Sequence, residues 1–226
     1  MKNIEAPKEY EGIVKEITSL SSRHGINTVF TTFLELLATG FAVYFDPRMS
    51  EKMLERFNEL EGSFNDYDKQ AYGKIIEQMF ICAMRFLKDP KDILGELFHL
   101  FNLGSEWNGQ YFTSNETGRF MAEVMRASER YDCIEDPTCG SGSLLIACAK
   151  VIKSHGENYK NVLFIGKDID IRCVWMTYIQ CCLFEMPAKI THGNSLTDGV
   201  WTEWHTPGYW NLVGKKTKGD SLQVCE

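Results

Sequence analysis

The hydrophobic rhythm of this chain changes once, after Gly104, and that change limits the folds open to it. From about Glu9 to Leu103 apolar residues recur at three- and four-residue intervals, as in Phe30, Phe33, Leu34 and Leu37, and again in Ile75, Ile76, Met79, Phe80 and Ala83. That is the period of a helix face. Breaks at Asp46 and Pro47, around Gly62 to Asp66, and at Asp89 and Pro90 stop one helix and cap the next, so this half predicts four or five helices. Beyond Gly104 short apolar runs bounded by turn residues alternate with helical patterns: Tyr131 to Ile134, a helix from Ser143, Val162 to Ile165, a helix from Ile171, then Lys189 to Thr191. Strands that alternate with helices predict a parallel sheet covered on both faces. The expected organisation is a helical domain over residues 1–105 and an α/β domain over 106–226.

Composition narrows the function classes. The chain has 226 residues, enough to bury a sizeable core, and its 44% hydrophobic and 24% charged content excludes a disordered or fibrous protein. A formal net charge of -7 argues against a broad, nonspecific grip on nucleic acid, which depends on Lys and Arg neutralising phosphates. The dense basic run, Lys215, Lys216 and Lys218, reads as a solvated tail. Of eight cysteines, Cys82, Cys148, Cys173, Cys181 and Cys182 lie inside apolar runs, as buried free thiols do in reducing compartments. No CxxC pair occurs and no metal site is expected. The first residues, MKNIEAPKEYEG, hold no apolar signal region, and the most hydrophobic stretch, Val29 to Phe45, contains Glu35 and is short for a bilayer. A cytoplasmic protein without a membrane partner is expected.

The segment YDCIEDPTCGSGSLLIACAK reads as a strand, a glycine-rich turn and a helix. Gly140 and Gly142 carry no side chain, so a ligand can approach the backbone and face the amides that open the helix. In dinucleotide-binding folds that position holds pyrophosphate. Here Asp136 ends the strand just before the glycines, and a carboxylate suits a cationic ligand better than a phosphate. Asp168 ends the next strand in NVLFIGKDID, where a carboxylate can accept hydrogen bonds from both hydroxyls of a ribose. The third strand ends in THGNSL, where Asn194 could meet the edge of an adenine ring. Three successive strand ends thus offer polar groups along one edge of the sheet. The plainer reading makes them helix caps and turn residues, which Asp, Asn, Ser and Gly favour anyway.

These residues resemble those of a known family. DPTCGSGSLL is similar to the methionine-cofactor motif of the methylase subunits of type I restriction-modification systems, which are N6-adenine DNA methyltransferases. NGQYFTSNETGRFMAEVM resembles the family's GQFFTP motif at the cofactor pocket, and DPKDILGELFHLFNLGSEW resembles its helical lead-in. The resemblance runs roughly from Asp89 to Leu196. It implies a Rossmann-like class I methyltransferase sheet preceded by an all-helical region, with S-adenosylmethionine as cofactor. Tyr111, Phe112 and Thr113 would line the pocket, Asp136 would lie near the methionine amino group, and Pro137, Cys139, Gly140, Gly142 and Ser143 would shape the turn. Asp168 would hold the ribose, Ile169 would pack on the adenine, and Asn194 would meet its amino edge. Ser114 stands where the family has Pro, and Asn194 where it often has Asp.

Transfer to adenine N6 asks for more than a bound cofactor. The family uses an NPPY or NPPF tetrad, whose Asn and first Pro carbonyl accept the amine hydrogens while its aromatic stacks on a flipped base. None of the six prolines here is adjacent to another, so that tetrad is absent. The nearest candidate is Thr206, Pro207, Gly208, Tyr209, in a stretch crowded by Trp201, Trp204 and Trp210 whose plainer reading is a turn packed by aromatics. Only about 17 residues follow Tyr209, so the sequence reads either as a fragment or as a reduced domain with a truncated sheet, its open edge covered by the N-terminal helices or another chain. Three readings stay open. One is a DNA adenine-N6 methyltransferase of restriction-modification type, reaching DNA through a partner specificity subunit. The second is a non-catalytic cofactor-binding module with a regulatory, decoy or interaction role. The third is an α/β protein for an unrelated nucleotide. Oligomerisation is left open.

Overall fold

A computed structural model describes residues 6–104, 115–126 and 132–216. The first stretch forms five helices: α1 (Glu11–His24), α2 (Ile26–Phe45), α3 (Ser50–Gly62), α4 (Asp66–Phe86) and α5 (Ile93–Leu100). The breaks at Asp46, 62–66 and 89–90 fall where the sequence sets them. A further break separates α1 from α2 at Gly25, whose φ of 77° and ψ of 146° suit a residue without a Cβ. Helix α2 occupies the centre, packed against α1, α3, α4 and α8. Its Phe30 meets Phe33, Phe98 and Phe101 edge-on at 6.0–6.1 Å. Among the described residues α2 is the one helix long and apolar enough to cross a membrane, and half of that stretch is buried inside the fold.

Helix α6 (Asn115–Arg126) leads into the sheet region, where β1 (Cys133–Asp136), α7 (Ser143–Ser154), β2 (Leu163–Asp168), α8 (Ile171–Leu183), β3 (Ala188–Asn194), β4 (Gly199–His205) and α9 (Pro207–Lys216) follow. The fold is mixed α/β, with a sheet of order β1-β2-β3-β4. β1, β2 and β3 run parallel through the helical crossovers α7 and α8, as the strand and helix rhythm requires. β4 departs from the all-parallel expectation: it turns back as a hairpin and pairs antiparallel with β3, Asn194 opposite Gly199 and Lys189 opposite His205. The turn carries Asp198 at φ 54° followed by Gly199, residues that tolerate or favour hairpin turn conformations.

Side chains alternate across a strand, and β2 uses both faces. Phe164 joins the large core with Leu145 and Ile146 of α7 and Val174, Tyr178 and Ile179 of α8. That core continues without a break into Phe30, Phe33 and Phe98 of the helical half. Leu163 and Ile165 point to the other face, where Leu212 of α9 covers them with Cys133 and Tyr209 alongside. Helical cover on that second face is therefore a small cluster from α9 rather than a full layer. The seven cysteines among the described residues are free thiols, five of them buried.

Candidate functional site

β1 delivers Asp136 to its C-terminal end, and the chain then turns through Pro137 to Gly142 before α7 begins at Ser143. The Asp136 Oδ1 accepts the Thr138 amide at 3.1 Å, bending the chain out of the strand. The Gly142 amide donates to the Cys139 carbonyl at 2.7 Å, closing the turn. Gly140 and Gly142 take φ values of 55° and 89°, left-handed conformations that cost a residue with a side chain about 1–2 kcal/mol. Gly142 is also held by space, since a Cβ there would stand 3.0 Å from the Thr177 methyl and 3.1 Å from its hydroxyl.

Neighbouring elements fix the turn from several sides. The Gly140 amide donates to the Asp168 Oδ2 at 2.9 Å, so the carboxylate ending β2 reaches directly onto the turn that follows β1. The Cys139 amide donates to the Lys167 carbonyl at 2.9 Å. The Thr177 hydroxyl, on α8, donates to the Gly140 carbonyl at 2.8 Å. The Ser195 hydroxyl, past the end of β3, donates to the Pro137 carbonyl. Asp136, Pro137, Cys139, Gly140, Gly142, Ser143 and Asp168 are thus brought together. Ile169 follows, 61% exposed beside the same edge. Asn194 ends β3 on that edge, its Oδ1 accepting the Leu196 amide at 2.9 Å. Tyr111, Phe112 and Thr113 lie outside the described residues.

The plainer reading of the polar residues also has a basis here. Asp170 caps α8 by accepting the Arg172 amide at 2.9 Å and pairs with the Arg172 guanidinium at 2.6 Å. Asp136 and Asp168 differ from it. Among the described residues neither has a cationic partner, and burial holds both carboxyls above the ordinary carboxylate range, with Asp168 adding to the rise at Asp136. A buried and a half-buried carboxylate near each other, with no counter-charge among the described residues, favour a positively charged ligand beside them. The first helical turn of α7 adds backbone amides aimed at the same space.

Thr206, Pro207 and Tyr209 are not part of this assembly. Because β4 runs antiparallel to β3, its end returns to the start of β3: the Thr206 amide donates to the Ala188 carbonyl at 3.0 Å. β3 runs from Ala188 to Asn194, about 20 Å at the usual rise per residue, and this separates the Thr206 segment from the glycine turn. The Thr206 hydroxyl, fully buried, donates to the Met186 carbonyl at 2.7 Å and accepts the Ala188 amide at 2.8 Å. The Tyr209 amide donates to the Thr206 carbonyl at 3.0 Å as α9 begins. Gly208 is required by packing, since a Cβ would come within 2.8 Å of the Pro187 nitrogen. Tyr209 and Trp210 stack around His205 at 4.5 and 5.3 Å. The aromatic crowding is that of a packed helix start.

Several residues that hold the turn carry no motif. Gly166, inside β2, makes room for Cys139, whose Sγ would lie 3.1 Å from an added Cβ. Thr177 and Gln180 project from α8, and Asp92 reaches the turn from the start of α5. Asp92 does carry a helix-start signal, lying two residues after Pro90 and accepting the Gly95 amide at 2.9 Å as an N-cap does.

A family model described as N-6 DNA Methylase matches residues 90–209, just over half of the chain. No curated protein and no solved structure matched. The matched span starts beside Asp92 and takes in every strand of the sheet.

Proposed function

Because the chain belongs to the N6-adenine DNA methylase family, we propose that it binds S-adenosylmethionine at the turn from Asp136 to Ser143 and does not transfer the methyl group through its own Thr206–Tyr209 segment. Members of this family generally use that cofactor, which supplies a methyl group activated on a sulfonium. The observation that carries the reading is the contact between Gly140 and Asp168, which joins two adjacent strand ends beside two carboxylates that have no cationic partner among the described residues. Asp136 is positioned to meet the ammonium of the methionine part. Asp168, held by the Gly140 and Asp170 amides, keeps lone pairs for the ribose hydroxyls, with Ile169 against the adenine and Asn194 at its amino edge. On this proposal the sheet is the Rossmann-like framework of class I methyltransferases, reduced to four strands among the described residues.

A specific observation favours a non-catalytic form. The Thr206 hydroxyl is committed to Ala188 and Met186, and the segment lies about one strand length from Asp136. The proposed protein is therefore a cofactor-binding module derived from a restriction-modification methylase, with DNA recognition left to a partner specificity subunit, in keeping with a net charge of -7. Calorimetry with S-adenosylmethionine, run beside a labelled methyl-transfer assay on adenine-containing DNA with Asp136→Ala as control, tests both parts. Binding without transfer is expected. No binding refutes the cofactor reading, and transfer abolished by Tyr209→Ala refutes the second part.

A further inference from the structure

We infer that Asp92 and Gln180 are positioning residues for the glycine turn, gripping Ser141 from both sides so that α5 becomes part of the donor site; this rests on the reading of that turn as the donor site. Ser141 lies between two glycines of positive φ, in a segment whose own preferences select no single conformation. Its hydroxyl donates to the Asp92 Oδ2 at 2.5 Å. Its carbonyl accepts the Gln180 Nε2 at 2.8 Å. The same Nε2 donates to the Asp92 Oδ1 at 2.9 Å, closing a ring of three side chains from α5, the turn and α8.

The ring has one orientation. The Gln180 Oε1 accepts the Ile93 and Leu94 amides at 2.7 and 3.1 Å, which fixes its nitrogen toward Asp92 and Ser141. Asp92 in turn accepts the Gly95 amide at 2.9 Å. Gly95 admits no side chain, since a Cβ would lie 2.2 Å from the Asp92 Oδ2 and 2.4 Å from the Ser141 Oγ. Asp92 is 5% exposed, and Ser141 and Gln180 are fully buried. The donors to the Asp92 carboxyl, the Gly95 amide, the Ser141 hydroxyl and the Gln180 amide nitrogen, are all neutral, so among the described residues it is kept in the interior without a counter-ion, an expensive arrangement that apolar packing would avoid. A fully satisfied buried network specifies one geometry where apolar contact would allow several. What it specifies here is the height and tilt of Ser141, and with it the course of the turn from Cys139 to Gly142, whose Gly140 amide is bonded to Asp168.

Hydrogen exchange of the turn peptide, residues 137–147, in the unliganded full chain reads this grip without any ligand, and calorimetry with S-adenosylmethionine on the same variants reads its consequence. Asp92→Ala and Ser141→Ala should speed exchange at the turn by about tenfold or more, while peptides of β2 and β4 exchange as in the parent protein. Donor affinity should fall in the same two variants. Asp92→Asn should restore slow exchange, because its amide nitrogen can donate to a Ser141 hydroxyl rotated to accept while its oxygen still receives Gly95 and Gln180. If Asp92→Ala does not fold, Ser141→Ala decides, since it leaves Asp92 with two donors. Loosening spread evenly over the sheet, unchanged exchange in Ser141→Ala, or no rescue by Asp92→Asn overturns the assignment. A parent chain that binds no donor yet shows the localised loosening refutes the proposed function and leaves this inference standing.

Discussion

Gly142→Ala and Gly156→Ala form a matched pair that separates backbone strain from packing beneath the turn. Both glycines have positive φ, 89° and 78°. An alanine at either pays about 1–2 kcal/mol for the left-handed conformation. Only at Gly142 does the new Cβ meet anything: Thr177 lies 3.0–3.1 Å away, whereas nothing stands within 4 Å of Gly156. Thr177 cannot yield freely, because its hydroxyl holds the Gly140 carbonyl at 2.8 Å. Overpacking of this kind adds about 1–3 kcal/mol. Gly142→Ala should therefore cost about 2–5 kcal/mol and Gly156→Ala about 1–2 kcal/mol. For a domain of this size 1 kcal/mol moves the melting temperature by about 2–4 °C. Thermal unfolding followed by circular dichroism should thus show a fall of about 4–20 °C for Gly142→Ala and about 2–8 °C for Gly156→Ala. Donor binding should weaken in the first variant alone. Equal losses in the two variants would refute the argument that Thr177 is wedged under the turn.

Asp136→Asn should abolish most donor binding in calorimetry, and binding to the parent protein should weaken on acidification beginning above the ordinary carboxylate range of about pH 4, because burial raises the Asp136 and Asp168 carboxyls and the cation needs their charged forms. The same substitution should leave the free protein at least as stable at neutral pH: a raised carboxyl contributes stability only where it is protonated, and loses it as pH rises through its folded value. Thr206→Val removes a buried hydroxyl that joins Met186, Ala188 and α9, and should cost about 1–3 kcal/mol in a thermal melt while the heat of donor binding stays unchanged. Asp46 behaves in the opposite sense to Asp136: burial raises its carboxyl, but hydrogen bonds from His205 and from the Arg48 amide outweigh burial and hold it below the usual range. Its stabilisation is present above about pH 4 and lost as pH falls through the lowered value, so the gap in melting temperature between Asp46→Asn and the parent should close below that pH.

The parts of this molecule that were legible in the sequence are those where one local pattern decides. Helical periodicity marks the helical half because α1 and α4 each bury one stripe against the central α2, and the glycine turn is readable because glycine readily accepts the φ values of positions 140 and 142. The apolar runs Tyr131 to Ile134 and Val162 to Ile165 stop two or three residues short of the ends of β1 and β2, because the polar ends of buried strands carry no hydrophobic signal; the acidic residues before the turns are what mark Asp136 and Asp168 as those ends, where the structure has them. The hairpin β3–β4 is masked in the sequence by the aromatic crowding of VWTEWH, which reads as a packed turn, although Asp198-Gly199 is a turn signal. Gly25 divides α1 from α2 within an uninterrupted helical rhythm. Asp92 reads as an ordinary cap. Its burial against Ser141 and Gln180, 49 and 88 positions away, is a property of the assembled fold.

Topology explains how donor binding and methyl transfer can part company in such a chain. In open α/β sheets ligands bind beyond the carboxyl ends of the strands, at the point where strand order reverses, as when a fourth strand joins the outer side of β1. Here the order runs 1-2-3 in one direction and β4 joins β3, so among the described residues no reversal occurs beside β1. Asp136, Gly140 and Asp168 are tied by hydrogen bonds to the turn and to the start of α8. Thr206, Pro207 and Tyr209 lie at the other end of β3, beside Ala188, and on the proposed reading they do not meet an acceptor amine at the donor site. An antiparallel β4 carries whatever follows it to the wrong end of the sheet, and no side-chain substitution within Thr206–Tyr209 can undo that. Converting Thr206 to Asn and Gly208 to Pro to restore the tetrad should therefore yield no methyl transfer, and the Pro ring would strike the Pro187 backbone that already excludes a Cβ.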